Sequence, residues 1–391
     1  MTRRDRTRDA RPHRTAAGAR RFRRRTLLRA LAGGGAALAL APLPLRHALA
    51  SSGELRMLFW SDYLPPALTA GFQAKTGIRI RHFKYGSNEE LLSKLKTTKG
   101  RGYDLVGPTV LRAPQWRPLG LLQPFDEKRL PSGRIETLMM ALSEAQWAWQ
   151  GGLHHLPYLW GTEALAWRSD KWTPEADGPS YGDLWRPELK GLVMGRPHSM
   201  MLGIGLYLDA AGKLPSNRML DAYKDEDSMR RIWGEITAFA VDHRKWVHLF
   251  WNDSETQQNG FLKNDIVLGQ TWDGPAAALR RAGEPIRYMA PKEGALAWLD
   301  GLAMPKGAVN VEQAYAFLDY IYSPEIGALI ANETGYNTVA VGAEAHLTPL
   351  TKRMFRDAYP GTALQNLWWW PPEPIWYAQL RNGFRDRFLA G

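Results

Sequence analysis

Between Leu55 and Val106 the chain alternates strand-like and helix-like segments, and that alternation restricts its fold more than any other feature. Leu55-Arg56-Met57-Leu58-Phe59 is a short apolar strand. Pro65-Pro66 opens a helical stretch that Gly77 ends, with Leu68, Phe72 and Thr76 on one face. Ile78-Arg79-Ile80-Arg81-His82-Phe83 alternates strictly, as a half-buried strand does. Asn88 is placed to N-cap a helix carrying Leu91, Leu92 and Leu95. Tyr103–Val106 is the next strand, closed by Gly107-Pro108. Successive strand–helix–strand units build a mostly parallel sheet with helices on both faces, so the class is α/β. A second set is expected to follow: strands at Leu192–Met194, Val247–Phe250 and Ile266–Thr271, with helices at Met200–Leu208, Ser228–Asp242 and Pro275–Ala282. Late helices are expected at Val311–Ile321 and Pro324–Glu333, and Ile375–Leu389 reads as a closing amphipathic helix.

Charge is spread unevenly. The chain holds 51 Lys+Arg against 39 Asp+Glu, but residues 1–50 contribute 13 Arg and only Asp5 and Asp9. The remainder has 38 basic (51 − 13) and 37 acidic (39 − 2) residues, a net charge of +1. The basic global balance is therefore no sign of nucleic-acid binding. Arg24-Arg25-Thr26-Leu27-Leu28-Arg29 leads into a weakly apolar stretch, Ala30 to Leu45, and then Ala48-Leu49-Ala50. This is the pattern of a twin-arginine export leader, cut near Ala50/Ser51. The stretch is too short and glycine-rich for a membrane span, which takes about 20 apolar residues. With no cysteine at all, the chain has no disulfide, thiol nucleophile, thiolate metal site or lipid-anchoring thiol. A soluble protein of the periplasm, with about two domains after residue 50, is expected.

Ligands in open α/β sheets bind beyond the carboxyl ends of strands. Trp60-Ser61-Asp62-Tyr63 sits there after the first strand and offers rings, a hydroxyl and a carboxylate, suited to an ammonium. Trp272-Asp273-Gly274 follows a strand in the same way. Trp298 and Asp300, two apart on a strand, project to the same side. Seventeen tryptophans exceed what a core of this size needs, so some are expected to line a cleft. The Trp60–Tyr63 stretch also has a plain reading, in which its Trp and Tyr cover the helix end and Asp62 is a solvated turn residue. No G-x-S-x-G, H-E-x-x-H, P-loop or G-x-G-x-x-G after a strand is present. Asp62 and Asp300 lack a nucleophile or metal to make them a catalytic pair. His154-His155 would point to opposite faces of a strand, which suits a structural role better than metal ligation. No cofactor is expected.

From about Leu55 to Gln365 the chain resembles the spermidine/putrescine-binding proteins of bacterial ABC importers. The resemblance is carried by Trp60-Ser61-Asp62-Tyr63-Leu64-Pro65-Pro66, Tyr85-Gly86-Ser87-Asn88-Glu89, Lys94-Leu95-Lys96-Thr97 and Tyr103-Asp104-Leu105-Val106. It continues through Pro157-Tyr158-Leu159-Trp160-Gly161-Thr162, Asp183–Gly191, Pro291-Lys292-Glu293-Gly294, Trp298-Leu299-Asp300 and Glu333-Thr334-Gly335-Tyr336. It implies a two-lobe periplasmic binding protein fold of type II, closing by a hinge around a small-molecule ligand delivered to an ABC permease. Lobe 1 would comprise 51–160 plus 299–343, and lobe 2 161–298 plus 344–391. By position Trp60, Tyr63, Trp272 and Trp298 resemble the family's aromatic box, Asp62 and Asp300 its amine-binding acids, and Ser61, Thr109 and Tyr336 its polar wall.

Two positions depart from that pattern. Where the family carries acids for a second amine, this chain reads Gly195-Arg196-Pro197-His198-Ser199-Met200, and Val110-Leu111 replaces an aromatic after Thr109. An amine-bearing solute is therefore expected, with a cleft that takes an amine at one end and a neutral or anionic group at the other. In the competing arrangement Arg196 turns to solvent and Glu373 supplies the lost carboxylate. Sugar-, opine- or amino-acid-like ligands are the alternatives, and a secreted hydrolase the rival from another class. Export by the twin-arginine translocase predicts that replacing Arg24 and Arg25 with Lys leaves precursor in the cytoplasm with the mature part folded there. Fractionation with immunoblotting reads this out, and normal periplasmic yield of the double-Lys form would refute it.

Overall fold

The computed structural model describes residues 53–391. The leader and its cleavage site lie outside the described residues.

The first segment forms as its pattern dictates. Strand β1 (Glu54–Trp60), helix α1 (Pro66–Thr76), strand β2 (Arg79–Tyr85), helix α2 (Asn88–Thr97) and strand β3 (Leu105–Val106) follow in order. β1 lies between β2 and β3 and is parallel to both. Leu68 and Phe72 of α1 are buried, and Phe72 meets Phe317 edge-on with ring centres 5.4 Å apart. Gly77 ends α1 at φ 75°, the left-handed conformation that costs glycine least. One detail differs from expectation. Ser87, not Asn88, caps α2, its hydroxyl accepting from the Glu90 amide at 3.2 Å. Asn88 is freed to reach across, accepting from the Thr109 amide at 3.1 Å and donating to its hydroxyl at 2.8 Å.

The second sheet has eight strands and is organised by one the sequence reading missed, β4 (Leu156–Arg168). Twelve of its thirteen residues are buried, so it reads as an unbroken apolar run with no period of two, and periodicity alone does not identify it. The other strands are β5 (Val193–Gly195), β6 (Val247–Phe250), β7 (Leu268–Trp272), β8 (Ile286–Met289), β9 (Leu296–Leu302), β10 (Asn337–Thr338) and β11 (Trp368–Trp369). The path runs β11-β9-β4-β7-β5-β6, and β8 and β10 also pair with β4. β4 is antiparallel to β7, β8, β9 and β10, whereas β5 is parallel to β6 and β7. The larger sheet is therefore mixed, where a mostly parallel one was expected.

Helices α3 (Pro197–Ala210), α4 (Glu226–Asp242), α5 (Asp273–Arg281), α6 (Val311–Ile321), α7 (Pro324–Thr334) and α8 (Ile375–Ala390) fall where the sequence places them, within a turn at their ends. The closing helix α8 buries Tyr377 and Phe384 against Trp233 of α4. No helix among the described residues is long and apolar enough to cross a membrane. His154 and His155 are both buried. His155 joins the Ser143 hydroxyl at 2.7 Å to the Pro108 carbonyl at 3.1 Å, and burial takes its pKa down to about 3. That is a structural role.

Candidate ligand-binding cleft

β4 and β9 run antiparallel, and their register assembles one wall of a cavity. Trp298 lies opposite Gly161, and the pairing shifts between Asp300 and Gly301. Across β4, the register with β7 sets Trp272 opposite Glu163. The cavity encloses about 70 Å³, and its lining includes Trp60, Asp62, Tyr63, Thr109, Trp272, Trp298, Asp300 and Tyr336. Eight of the nine site residues expected from the sequence thus meet at one place. Ser61 does not, being exposed in the turn after β1.

One end of the cavity is acidic and walled by rings. Asp300 is buried, its Oδ2 accepting from the Tyr63 hydroxyl at 2.7 Å, while Oδ1 has no hydrogen-bond partner among the described residues. Burial raises its pKa to about 7, against the pull of the nearby Thr109 and Tyr63 hydroxyls, and the Asp62 charge adds to the rise. Asp62 is raised too, by burial first, although the Tyr336 hydroxyl donates to its Oδ2 at 2.9 Å. Tyr63 stacks on Trp298 at 6.4 Å with 14° between planes, and Tyr336 meets both rings edge-on at 5.4 Å. Trp60 leans on Tyr85 at 4.7 Å. An acid in such a box is built to pair with a cation, which the ring faces also attract.

The opposite end carries guanidinium groups. Arg112 bonds Glu89 at 3.0 Å and Glu373 at 3.1 Å, and Arg381 bonds the same two acids at 3.4 and 2.6 Å, closing a four-membered ring. Glu373 is fully buried, and its amide donates to the Leu111 carbonyl at 3.0 Å. Burial alone would raise Glu89, but Arg112 and Arg381 bring its pKa down to about 2. Arg196 does not turn to solvent. It lines the cavity, reaches Glu163 at 3.4 Å and lies 5.7 Å over the Trp272 ring. Glu373 does not stand in as a free amine-binding acid either, because two arginines already hold it. His198, beside Arg196 on the lining, is held neutral by burial and then by the charges of Arg196, Arg381 and Arg112.

Comparison with known proteins agrees with this architecture. Residues 67–353 match the family described as bacterial extracellular solute-binding protein. The chain belongs to that family. It is 29% identical to the spermidine/putrescine-binding periplasmic protein of Escherichia coli (strain K12), over 82% of this chain and 89% of that one. It is 28% identical to the putrescine-binding periplasmic protein PotF of the same organism, over 79% of this chain and 82% of the other. Its fold is similar to that of a spermidine/putrescine ABC transporter substrate-binding protein from Streptococcus pneumoniae, with a TM-score of 0.67 at 24% identity over 86% and 98% of the two chains. The two-lobe type II fold of periplasmic binding proteins is the fold of this chain.

The cavity also contains residues that sequence reasoning missed, notably Asn88, Arg112, Glu163, Trp370 and Arg381. Glu163 had a usable signal as the only acid in the apolar run Leu156–Arg168. Its Oε1 takes the Trp272 indole N–H at 3.0 Å as well as the Arg196 contact. Arg381 gives no such signal, since a basic residue in an amphipathic helix ordinarily faces water.

Gly161 is where the two crossing strands and the box meet. A Cβ there would lie 2.5 Å from Trp298 Cζ2 and 2.6 Å from Asp273 Oδ1. Gly161→Ala is therefore expected to cost about 1–3 kcal/mol of stability through overpacking and to displace the Trp298 ring. Urea unfolding with near-ultraviolet circular dichroism checks both. Wild-type stability and an unaltered aromatic spectrum would show that the wall has room to give.

Proposed function

We propose that this chain is the periplasmic solute-binding component of an ABC importer and captures a small amine-bearing solute, a polyamine or related compound, between its lobes. The observation that carries this reading is the unpaired, buried Oδ1 of Asp300 among Trp60, Tyr63, Trp298 and Tyr336. A buried carboxylate oxygen without a donor is costly, and an ammonium there removes the cost. The ring edges and Thr109 then orient the ligand. The lobes are 51–160 plus 299–343 and 161–298 plus 344–391, with β4 and β9 as the crossing strands. This division is supported by the way the first half of β4 pairs with β10 and its second half with β7 and β8. The ligand touches both lobes and stabilises their closure. The solute is then handed unchanged to a permease in the inner membrane. A twin-arginine leader, removed near Ala50/Ser51, delivers the folded protein to the periplasm, and no catalytic step is involved.

Asp300 supplies the test. Its pKa near 7 means that at acid pH the carboxyl is protonated and must give up that proton to pair with an ammonium. Protonation therefore opposes binding. Affinity for a cationic ligand should rise by close to tenfold per pH unit below about pH 7 and level off above it, with a proton released on binding. Asp300→Asn should weaken binding by about ten- to a hundredfold, the worth of a charge-assisted hydrogen bond, and flatten the profile. Titration calorimetry in buffers of different ionisation enthalpy measures both. A pH-independent dissociation constant for the natural ligand, unchanged in the Asn form, refutes the assignment of Asp300. Ligand-induced tryptophan fluorescence change without consumption of the ligand separates binding from hydrolysis.

A further inference from the structure

The proposed function leaves the far end of the cleft unassigned, and Arg196 gives that end its chemistry. Its guanidinium makes one hydrogen bond among the described residues, Nη1 to Glu163 Oε1 at 3.4 Å, a long contact. A guanidinium has five N–H donors, so most of its capacity stays uncommitted although the group is largely buried. The other two arginines differ. Arg112 and Arg381 are each shared between Glu89 and Glu373, and that ring balances its own charge.

The backbone adds to the same end. Arg196 occupies the N-cap position of α3, Pro197 opens the helix, no side chain caps it and no acid lies in its first turn. The first-turn amides of a helix have no acceptor within the helix, and the helix end favours negative charge. Arg196 and His198, on either side of Pro197, both line the cavity. Of the acids here, Glu373 is held by two arginines and Oε1 of Glu163 by Arg196 and Trp272, while Oε2 of Glu163 accepts no hydrogen bond among the described residues. An ammonium at this end would have Oε2 of Glu163 as its acceptor but would also meet the Arg196 charge that already pairs with that acid, and such juxtaposition is an effective means of rejecting wrong partners.

We infer that the solute is a short zwitterion, an ω-amino carboxylate, with its ammonium at Asp300 and its carboxylate on Arg196 at the N-terminus of α3. Arg196 takes one carboxylate oxygen or both through its planar fork, and the Trp272 ring beneath it fixes the plane.

This inference rests on the amine reading of the cleft, and a panel separates the two. The mature protein is titrated with n-butylamine, putrescine, spermidine, a series of unbranched ω-amino acids of three to six carbons, and butyrate. At least one ω-amino acid should bind about ten- to a hundredfold more tightly than n-butylamine, the worth of one charge-assisted contact, and more tightly than putrescine or spermidine. R196M should lower the ratio of ω-amino acid to monoamine affinity at least tenfold, and R196K should retain part of it. Because a ratio is read, loss of active protein does not mimic the effect. If R196M does not fold, the wild-type ranking decides alone. Tightest binding by putrescine or spermidine overturns the inference and leaves the amine reading standing. Binding of none of the amines overturns both.

Discussion

The cavity wall that carries Trp272, Trp298 and Asp300 hangs on the pairing of one strand. β4 hydrogen-bonds to β7, β8, β9 and β10, and all but the last of its residues are buried. Buried amides and carbonyls must be paired, so the strand has no freedom to slip. A slip of one residue would turn every side chain to the other face. The register therefore places Trp298 against Gly161 and Trp272 against Glu163 with the certainty of backbone hydrogen bonding. Trp272, Trp298 and Asp300 inherit their positions on the cavity wall from it. Gly161 serves the same end, because only a residue without Cβ lets Trp298 and Asp273 approach this closely.

Such a scaffold explains how an acid can be buried with one oxygen left unpaired. Desolvating a carboxylate is costly, and Asp300 answers by holding its proton up to about pH 7. Asp273, at the start of α5, does the same to about 8, though it has the Thr162 amide at 3.3 Å and Asn337 Nδ2 at 3.2 Å as partners. Each keeps an Oδ1 without a hydrogen-bond partner among the described residues, and they differ in setting: Oδ2 of Asp273 ties Thr162, Asn337 and Tyr359 together, whereas Asp300 lines the cavity walled by Trp60, Tyr63 and Trp298.

Much of this was legible in the sequence, for physical reasons that also mark its limits. Strand–helix alternation identified β1 to β3 and most helices, because β2 and the helices keep an exposed face and β1 and β3 are short apolar runs bounded by turn residues. The aromatic and acidic clusters Trp60–Tyr63 and Trp298–Asp300 were legible because they follow, or alternate along, strands that alternation or resemblance located. β4 was not legible as a strand: with both faces covered, it has no polar face to mark its period. Losing β4 meant losing Glu163 with it. Asn88 read as a cap by residue type, but Ser87 competed for the same role and won, releasing Asn88 to hold Thr109. Arg196 was legible only as a departure from a resemblance. Its direction, into the cleft rather than out, is a fact of tertiary packing against Trp272.

The ring of Glu89, Arg112, Glu373 and Arg381 poses the remaining question of energetics. It joins α2 and the turn at Val110–Arg112 to α8 and to Glu373 just before it. If those pairs were worth their full Coulomb energy, the proposed lobes would need no ligand to stay together. They are not, because desolvating two arginines and Glu373 consumes most of that energy, and Glu89 is half exposed to screening solvent. A near-balanced ring fixes how these segments meet without by itself deciding the proposed closure. In the proposed function, a ligand bond of about 1.5–3 kcal/mol to a charged group is enough to shift a two-state population by tenfold or more. The proposed contact at Asp300 is of that size, and it, not the ring, is the term that would depend on what the cleft contains.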